Sequence, residues 1–545
     1  MKTLSRIALS AAVAMASQAA LAEPAPGGTL TVPIITTAFT ETFNPYVDAS
    51  STVAGMVFEP LAFINAMQDT THMRLAESYE YADDLRSITY TLREGLRWSD
   101  GEPLTAADLL YTFELAGEVA VYDIAGVLAS GRVTGVTQLN ERQVRFDLAN
   151  ADSTVHWDLH AYMPLPKHIW EQATDPATFT NPGAVGSGPV TEVSYLRPQQ
   201  MELCRNPHYF EEGRPYLDCL RYRAFNDNSQ IQPALMRDEI DWGSNFIADI
   251  DRTYVDVNPD NHHYWYPAND AIHLYLNTKR APFDDLAFRQ AVSVALDREA
   301  IVDLAAYGYP TVNDFPGGLG HYFEAFMDQS IYDDYGWLGQ YDPDRAMALL
   351  DEAGYTDQNG DGFRQMPDGS PLSFNIRVVN GWTDWVQTVQ MVTEYLEEVG
   401  IKAGVNAVEW GVYDQSLKEG DYDVAINWSL LSTHPIQTFK EYYHTSRIGQ
   451  IWHAGHGVHS ERVDNLIDGF GSLTDEAEQQ ATLAELQRFT AENMPFIPLF
   501  SNPTWFQYST SRVEGWPSED NPYVHPVFYT AGKNTQVFNN LYQKQ

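Results

Sequence analysis

Between residues 372 and 408 the chain reads strand, helix, strand, and no other stretch restricts its fold so closely. The run 372-LSFNIRVV-379 suits a strand. Val386, Val389, Val392, Leu396 and Val399 then recur on one side of a helix, Gly400 stops it, and Ile401 to Val408 reads as a second strand. Two strands joined by a helix pair in parallel, with helices covering the sheet, so the fold class is α/β. Open sheets of this kind hold ligands at the carboxyl ends of their strands. The stretch 378-VVNGWTDWVQ-387 occupies that place. A second strand, 422-YDVAINWSLL-431, brings Asn427 and Trp428 to its own carboxyl end, facing the same rim.

The alternation of strand and helix recurs elsewhere. Ile88, Tyr90 and Leu92 alternate with polar residues, Ser99-Asp100-Gly101 makes a turn, and Thr105 with Asp108 forms a capping box that opens a helix through Leu115. Asp342 caps a helix that has Pro343 in its first turn and Gly354 as its stop. No repeat period or low-complexity segment interrupts this texture.

The first 22 residues carry Lys2 and Arg6, a short apolar stretch, and small residues at Ala20 and Ala22, the pattern of a cleavable secretory signal cut after Ala22. Glu23 follows the cut where a lipid anchor needs cysteine, which favours the periplasm. Cys204 and Cys219 in an exported chain read as one disulfide, closing a loop of about 15 residues worth about 3 kcal/mol. The alternative, a metal or thiol site, has no ligand cluster nearby. The formal net charge is −41, a surface that repels nucleic acid and anionic lipid and suits a salty medium.

At 92-LREGLRWSDGEPLTAADLLYTFE-114 the chain resembles the extracellular solute-binding proteins of family 5, the dipeptide, oligopeptide, nickel and oligosaccharide receptors of ABC importers. The likeness continues through 186-GSGPV-190, 274-LYLNTKRAPFDDLAFRQAVSVALDREAIV-302 and 345-RAMALLDEAGY-355. Each fragment alone is weak, but in this order and spacing they are specific. Segments 202-ELCRNPHYF-210, 216-YLDCLRY-222, 380-NGWTDW-385 and 512-RVEGWPSEDNP-522 are similar to the branch that binds chito- and cello-oligosaccharides. In that branch the paired cysteines form a disulfide.

The resemblance implies a two-lobed periplasmic binding protein fold. Lobe 1 is expected at 23–274 plus 503–545, with an inserted subdomain at about 61–185, and lobe 2 at 275–502. The crossings are expected near Leu274 to Thr278 and Pro498 to Pro503. It further implies that Trp382 and Trp516 lie against sugar rings from opposite lobes, while Asp384 and Asn427 bind hydroxyls or amides. Where the branch carries an aromatic two residues after that Asn, this chain has Ser429, so a stacking surface is lost or supplied by Trp428.

An indole covers the flat C–H face of a β-linked sugar with few rotors to freeze, and Asp and Asn serve the hydroxyl rim. The alternatives are plain. Trp382 can be core, Asp384 a helix cap, Asn427 a residue satisfied by backbone, and Asn226 and Asn228 turn residues. Trp385 falls with Val389 and Val392 on the apolar side of its helix and reads as core. Arg and Lys are sparse around this rim, which favours a neutral ligand over a peptide.

Asp357, Asn359 and Asp361 fit the first half of a calcium loop, with Asp368 at the twelfth position, but a strand follows in place of a helix, so a Gly-rich turn is the competing reading. His453, His456 and His459 match no ligand spacing. Ser187 is not a nucleophile elbow, and no HExxH or phosphate loop appears, so catalysis is not expected. The expectation is a monomer without cofactor that passes an oligosaccharide, or alternatively a peptide, to a membrane permease driven by a separate ATPase.

Overall fold

The computed structural model describes residues 24, 26–47, 51–65, 67–68, 70–430 and 432–545. The expected secretory signal, residues 1–22, lies outside them. Among the described residues, no helix is long and apolar enough to cross a membrane.

The βαβ unit forms where it is expected. Strands Ser373–Val379 and Lys402–Val408 pair in parallel over seven residues, from Ser373 opposite Lys402 to Val379 opposite Val408, around the helix Thr383–Glu398. They belong to a six-stranded sheet with the order 311–312, 496–503, 268–276, 424–428, 373–379, 402–408. Side chains alternate across this sheet. Leu274, Val378, Ile426 and Ile497 face one buried layer, which holds Trp385, Val389 and Val392. Tyr275, Val379, Ala425 and Phe496 face another, covered by the helices Trp410–Glu419, Pro435–Tyr443 and Glu476–Asn493. Trp385 is core, as its spacing predicts. Gly354 and Gly400 terminate their helices at φ +89 and +83.

A second core lies in the other lobe. It joins a sheet ordered 29–35, 219–225, 200–205, 190–197 to an antiparallel sheet ordered 76–81, 87–92, 143–148, 133–138. The helix Ala106–Glu118 packs here, opened by the Thr105–Asp108 capping box. Residues 61–185 carry a sheet of their own yet share this continuous core. Cys204 and Cys219 sit opposite each other on adjacent strands and are disulfide-bonded.

The chain changes core twice. Trp265 packs on the first core and Ile272 in the second; Phe500 belongs to the second and Phe506 to the first. The first crossing therefore precedes the expected Leu274 to Thr278, because Leu274 and Leu276 are already inside the six-stranded sheet. The tail then returns, and Val537 and Phe538 of helix Lys533–Asn540 complete the first core.

Candidate functional site

Three parallel strands end on one rim, and each delivers a tryptophan to it. Trp382 follows the strand ending at Val379, Trp410 follows the one ending at Val408, and Trp428 is the last residue of Val424–Trp428. Asn380 ties two of these ends together, its N–H donating to the Val408 carbonyl at 2.8 Å. The ring centroids of Trp382 lie 5.6 Å from Trp410 and 5.3 Å from Trp428, and the latter two are 5.9 Å apart with planes within 4°. Trp452, from a short turn, stands edge-on to both Trp410 and Trp428, and its indole N–H donates to His453 Nε2 at 2.9 Å. Buried Trp385 backs Trp382 edge-on at 4.9 Å. Trp382, Trp410, Trp428 and Trp452 are half-buried, so together they form a wall with apolar surface still open.

Asp384 sits in the first turn of the helix behind Trp382 and is buried. Burial pushes its carboxyl up to about 6, against the pull of the Asp384 and Trp385 N–H groups. Asn427 is sealed from solvent; its Oδ1 accepts the Trp428 N–H at 3.0 Å, and its amide nitrogen has no partner among the described residues. As placed it holds the strand end that carries Trp428.

The first lobe meets this rim through the loop 226–228. The Asn228 N–H points to the Gly381 carbonyl at 3.4 Å, and the Asn226 carbonyl and Asp227 crowd Gly381 itself. Asn226 is exposed and Asn228 buried. A second interlobe contact joins Asp158 to Lys440 at 3.2 Å, with Gln437 donating to Asp158 and Trp157 stacked on His434 at 4.8 Å.

Trp516 is not part of a wall. It is 6% exposed, packs against Trp242, Phe506 and Tyr508 in the first core, and donates its indole N–H to the carbonyls of Ser509 and Val513. Its Gly, Pro and Ser neighbours in sequence suggest an exposed loop, but partners far along the chain enclose it. The rule that selects Trp382, a tryptophan just past a strand's carboxyl end, also selects Trp410 in 408-VEW-410, so that residue was legible. Trp452 carries no such signal.

Away from this rim, Asp270 at the start of strand 268–276 and Lys533 of the tail helix feel each other's charge. Burial pushes the Asp270 carboxyl up to about 7, with Lys533 opposing, and pushes the Lys533 ammonium down to about 8.

The calcium-loop oxygens are engaged in turns. Asp357 accepts from Gly360 and Gly362, Asn359 from Asp361, and Asp368 from Ser370. His456 and His459 are each bonded to backbone carbonyls. Among the described residues one group of three possible metal ligands converges, Glu202, Cys204 and Cys219, and both cysteines are in the disulfide.

Residues 70–450 match the family model for bacterial extracellular solute-binding proteins, family 5 (middle region). The chain is 26% identical to the oligopeptide-binding protein AppA of Bacillus subtilis over 472 residues, covering 83% of this chain and 82% of that one. It is 23% identical to a probable D,D-dipeptide-binding periplasmic protein of Escherichia coli, with 83% of each covered. Among solved structures, a mannohexaose-bound periplasmic oligopeptide-binding protein of Thermotoga maritima superimposes with a TM-score of 0.84 at 27% identity, covering 95% of this chain and 98% of that one. B. subtilis AppA in complex with a nonapeptide shares the fold, with a TM-score of 0.78 at 23% identity, covering 96% of this chain and all of that one.

Proposed function

The chain belongs to the bacterial extracellular solute-binding proteins of family 5, and from that membership we propose that it captures a β-linked oligosaccharide, chito- or cello-oligosaccharide, between its lobes. At the coarser level it is a substrate-binding protein of an ABC importer, in a family of transport-associated binding proteins. In this reading it works in the periplasm as a monomer and hands its sugar to a permease driven by a separate ATPase.

The observation that carries the sugar reading is the wall of four half-buried indoles at one rim. Such a surface matches the stacked C–H faces of successive sugar rings, and large rigid side chains lose little entropy on binding. Trp382, Trp410 and Trp428 take the rings, Trp452 closes one side, and Asp384 with Asn226 and Asn228 serves hydroxyls at the edge. The mannohexaose complex of the T. maritima protein supports a saccharide in a cleft of this architecture. Open and closed forms exchange, and ligand contacts made by both lobes select the closed one.

The competing ligand is a peptide, the class named for several relatives, and the charged Asp270 and Lys533 favour it. Calorimetry and thermal-shift measurements with cellobiose, chitobiose, longer oligomers of each and mixed peptides decide between them. Micromolar binding to a sugar raises the melting temperature by mass action. A shift with peptides alone sinks the sugar reading.

A further inference from the structure

His453, His456 and His459 match no metal-ligand spacing, yet all three are engaged around one short turn, Trp452–Ala454, that carries a tryptophan of the wall. His456 accepts the Val458 N–H on Nδ1 and donates from Nε2 to the Tyr442 carbonyl, each at 3.0 Å. His459 stacks on His456 and lies 2.9 Å from the Tyr443 carbonyl. These two rings tie the segment after the turn to the helix Pro435–Tyr443. His453 differs, because it reaches the wall itself.

The His453 side chain is 1% exposed, and its Nε2 faces two groups of the wall. The Trp452 indole N–H points at it from 2.9 Å, and the Trp428 carbonyl oxygen lies 3.2 Å away. One ring nitrogen cannot accept from the first and donate to the second at once. Burial pushes the ring down to about 3, so it is neutral near pH 7 and carries one proton. The indole nitrogen can only donate, whereas the Trp428 carbonyl has another donor, the Tyr275 hydroxyl at 3.1 Å. The hydrogen bonds therefore assign the proton to Nδ1 and leave the Nε2 lone pair to Trp452.

Resting on the sugar reading above, we infer that His453 is a positioning residue of the sugar site: its Nε2 lone pair fixes the Trp452 indole as the corner of the tryptophan wall. Trp452 stands at 81° to Trp410 and 84° to Trp428, with centroids 5.5 and 5.3 Å away, whereas those two rings are nearly parallel. A sugar ring stacked along Trp410 and Trp428 meets a perpendicular indole at one end. A half-buried indole can turn about its side-chain torsions, and the bond to His453 removes that freedom before the ligand arrives. The same bond consumes the Trp452 N–H, so the corner offers the sugar an apolar surface in place of a donor.

The test reads the hydrogen bond and the affinity separately. In NMR spectra of the full chain labelled with heavy nitrogen, the Trp452 indole resonance, assigned by its loss in Trp452→Phe, should show scalar coupling across the hydrogen bond to a histidine ring nitrogen. In calorimetry with cellotetraose and chitotetraose, His453→Leu should bind the tetrasaccharide about fivefold more weakly or worse. His453→Gln keeps an acceptor at similar reach and should stay within about twofold of the unmodified protein. In a Trp452→Phe background, which has no indole N–H to hold, His453→Leu should cost no further affinity. Melting temperatures without ligand establish that each variant is folded; if His453→Leu is not, the coupling and His453→Gln decide. Absent coupling overturns the inference, as does a His453→Leu affinity within about twofold of the unmodified protein. An equal loss with His453→Gln, or in the Trp452→Phe background, assigns His453 to core packing and overturns it too, while the sugar reading stands. If the unmodified protein binds peptides alone, the sugar reading fails and takes this inference with it.

Discussion

Gly381 of the second lobe packs directly against Asn226 of the first: a Cβ built on Gly381 would stand 2.9 Å from the Asn226 carbonyl oxygen. The Gly381 backbone is also left-handed, at φ +91.

Gly381→Ala should therefore hinder closure in two ways. The left-handed conformation costs an L-residue about 1–2 kcal/mol, and the methyl group must push the 226–228 loop away. Ligand affinity should fall about tenfold, and small-angle scattering with ligand should report a larger radius than for the unmodified protein. Unchanged affinity and radius would mean that this contact does not belong to the closed state.

The Asp158–Lys440 pair joins the lobes at another point, and both residues are almost fully buried. Burial alone would raise the Asp158 carboxyl, but Lys440 and Arg132 outweigh it and hold the group down to about 2. Since the folded value is depressed, the contribution to stability is complete above about pH 4 and is lost as pH falls toward 2. Removing Lys440 leaves Asp158 with Arg132 as its remaining cation, so the cost stays below the roughly 3 kcal/mol of a fully orphaned buried charge. Lys440→Met should thus shift the lobes toward the open form at pH 7, as read by fluorescence energy transfer between labels on the two lobes. The shift should be absent when Asp158→Asn is added. An equal shift in the double variant would assign the effect to lost packing.

Trp516→Ala should behave as a core truncation, costing about 3–5 kcal/mol of unfolding free energy. Trp382→Ala and Trp410→Ala, on half-buried residues, should cost less stability and more sugar affinity. Denaturant unfolding and calorimetry on the three variants separate the two patterns. A stable Trp516→Ala protein with lost affinity would return that residue to the ligand cleft.

The contrast between these tryptophans marks how far the sequence reaches. Helix and strand periodicity, the Thr105–Asp108 capping box and the Gly stops at 354 and 400 are local signals, and the structure follows them. Trp385 was legible as core because its partners Val389 and Val392 lie within two turns of the same helix. The surroundings of Trp516 were not, since Trp242 lies far upstream and reaches it through sheet pairing between strands 242–243 and 507–509. Lys533 was missed for the same reason: its reach to the Asp270 charge depends on the tail folding back onto the first core. The first crossing lies before Leu274 to Thr278, where the family resemblance implies it, because the change of core between Trp265 and Ile272 depends on packing that no local pattern signals.

Asp384 gives the prediction with the clearest sign. Its carboxyl is buried, and the desolvation of its charge raises it to about 6; the N–H groups of Asp384 and Trp385 at the helix start recover only part of that loss. The folded protein therefore holds a proton between about pH 4 and pH 6 that the unfolded chain releases. Stability should fall as pH rises through this window and stay level above it. A carboxyl raised from its ordinary value to about 6 corresponds to about 3 kcal/mol of strain carried at pH 7.5. Asp384→Asn removes the charge and keeps the shape, so it should be more stable than the unmodified protein at pH 7.5 and nearly equal to it at pH 4. Unfolding titrations at the two pH values check this, and a constant difference between them would show that the carboxyl is not titrating in that window. If the strain is retained because the ionised group accepts a sugar hydroxyl, the same variant should bind oligosaccharide more weakly at pH 7.5 despite its greater stability. Weaker binding together with a more stable fold is an outcome that a purely structural Asp384 does not produce.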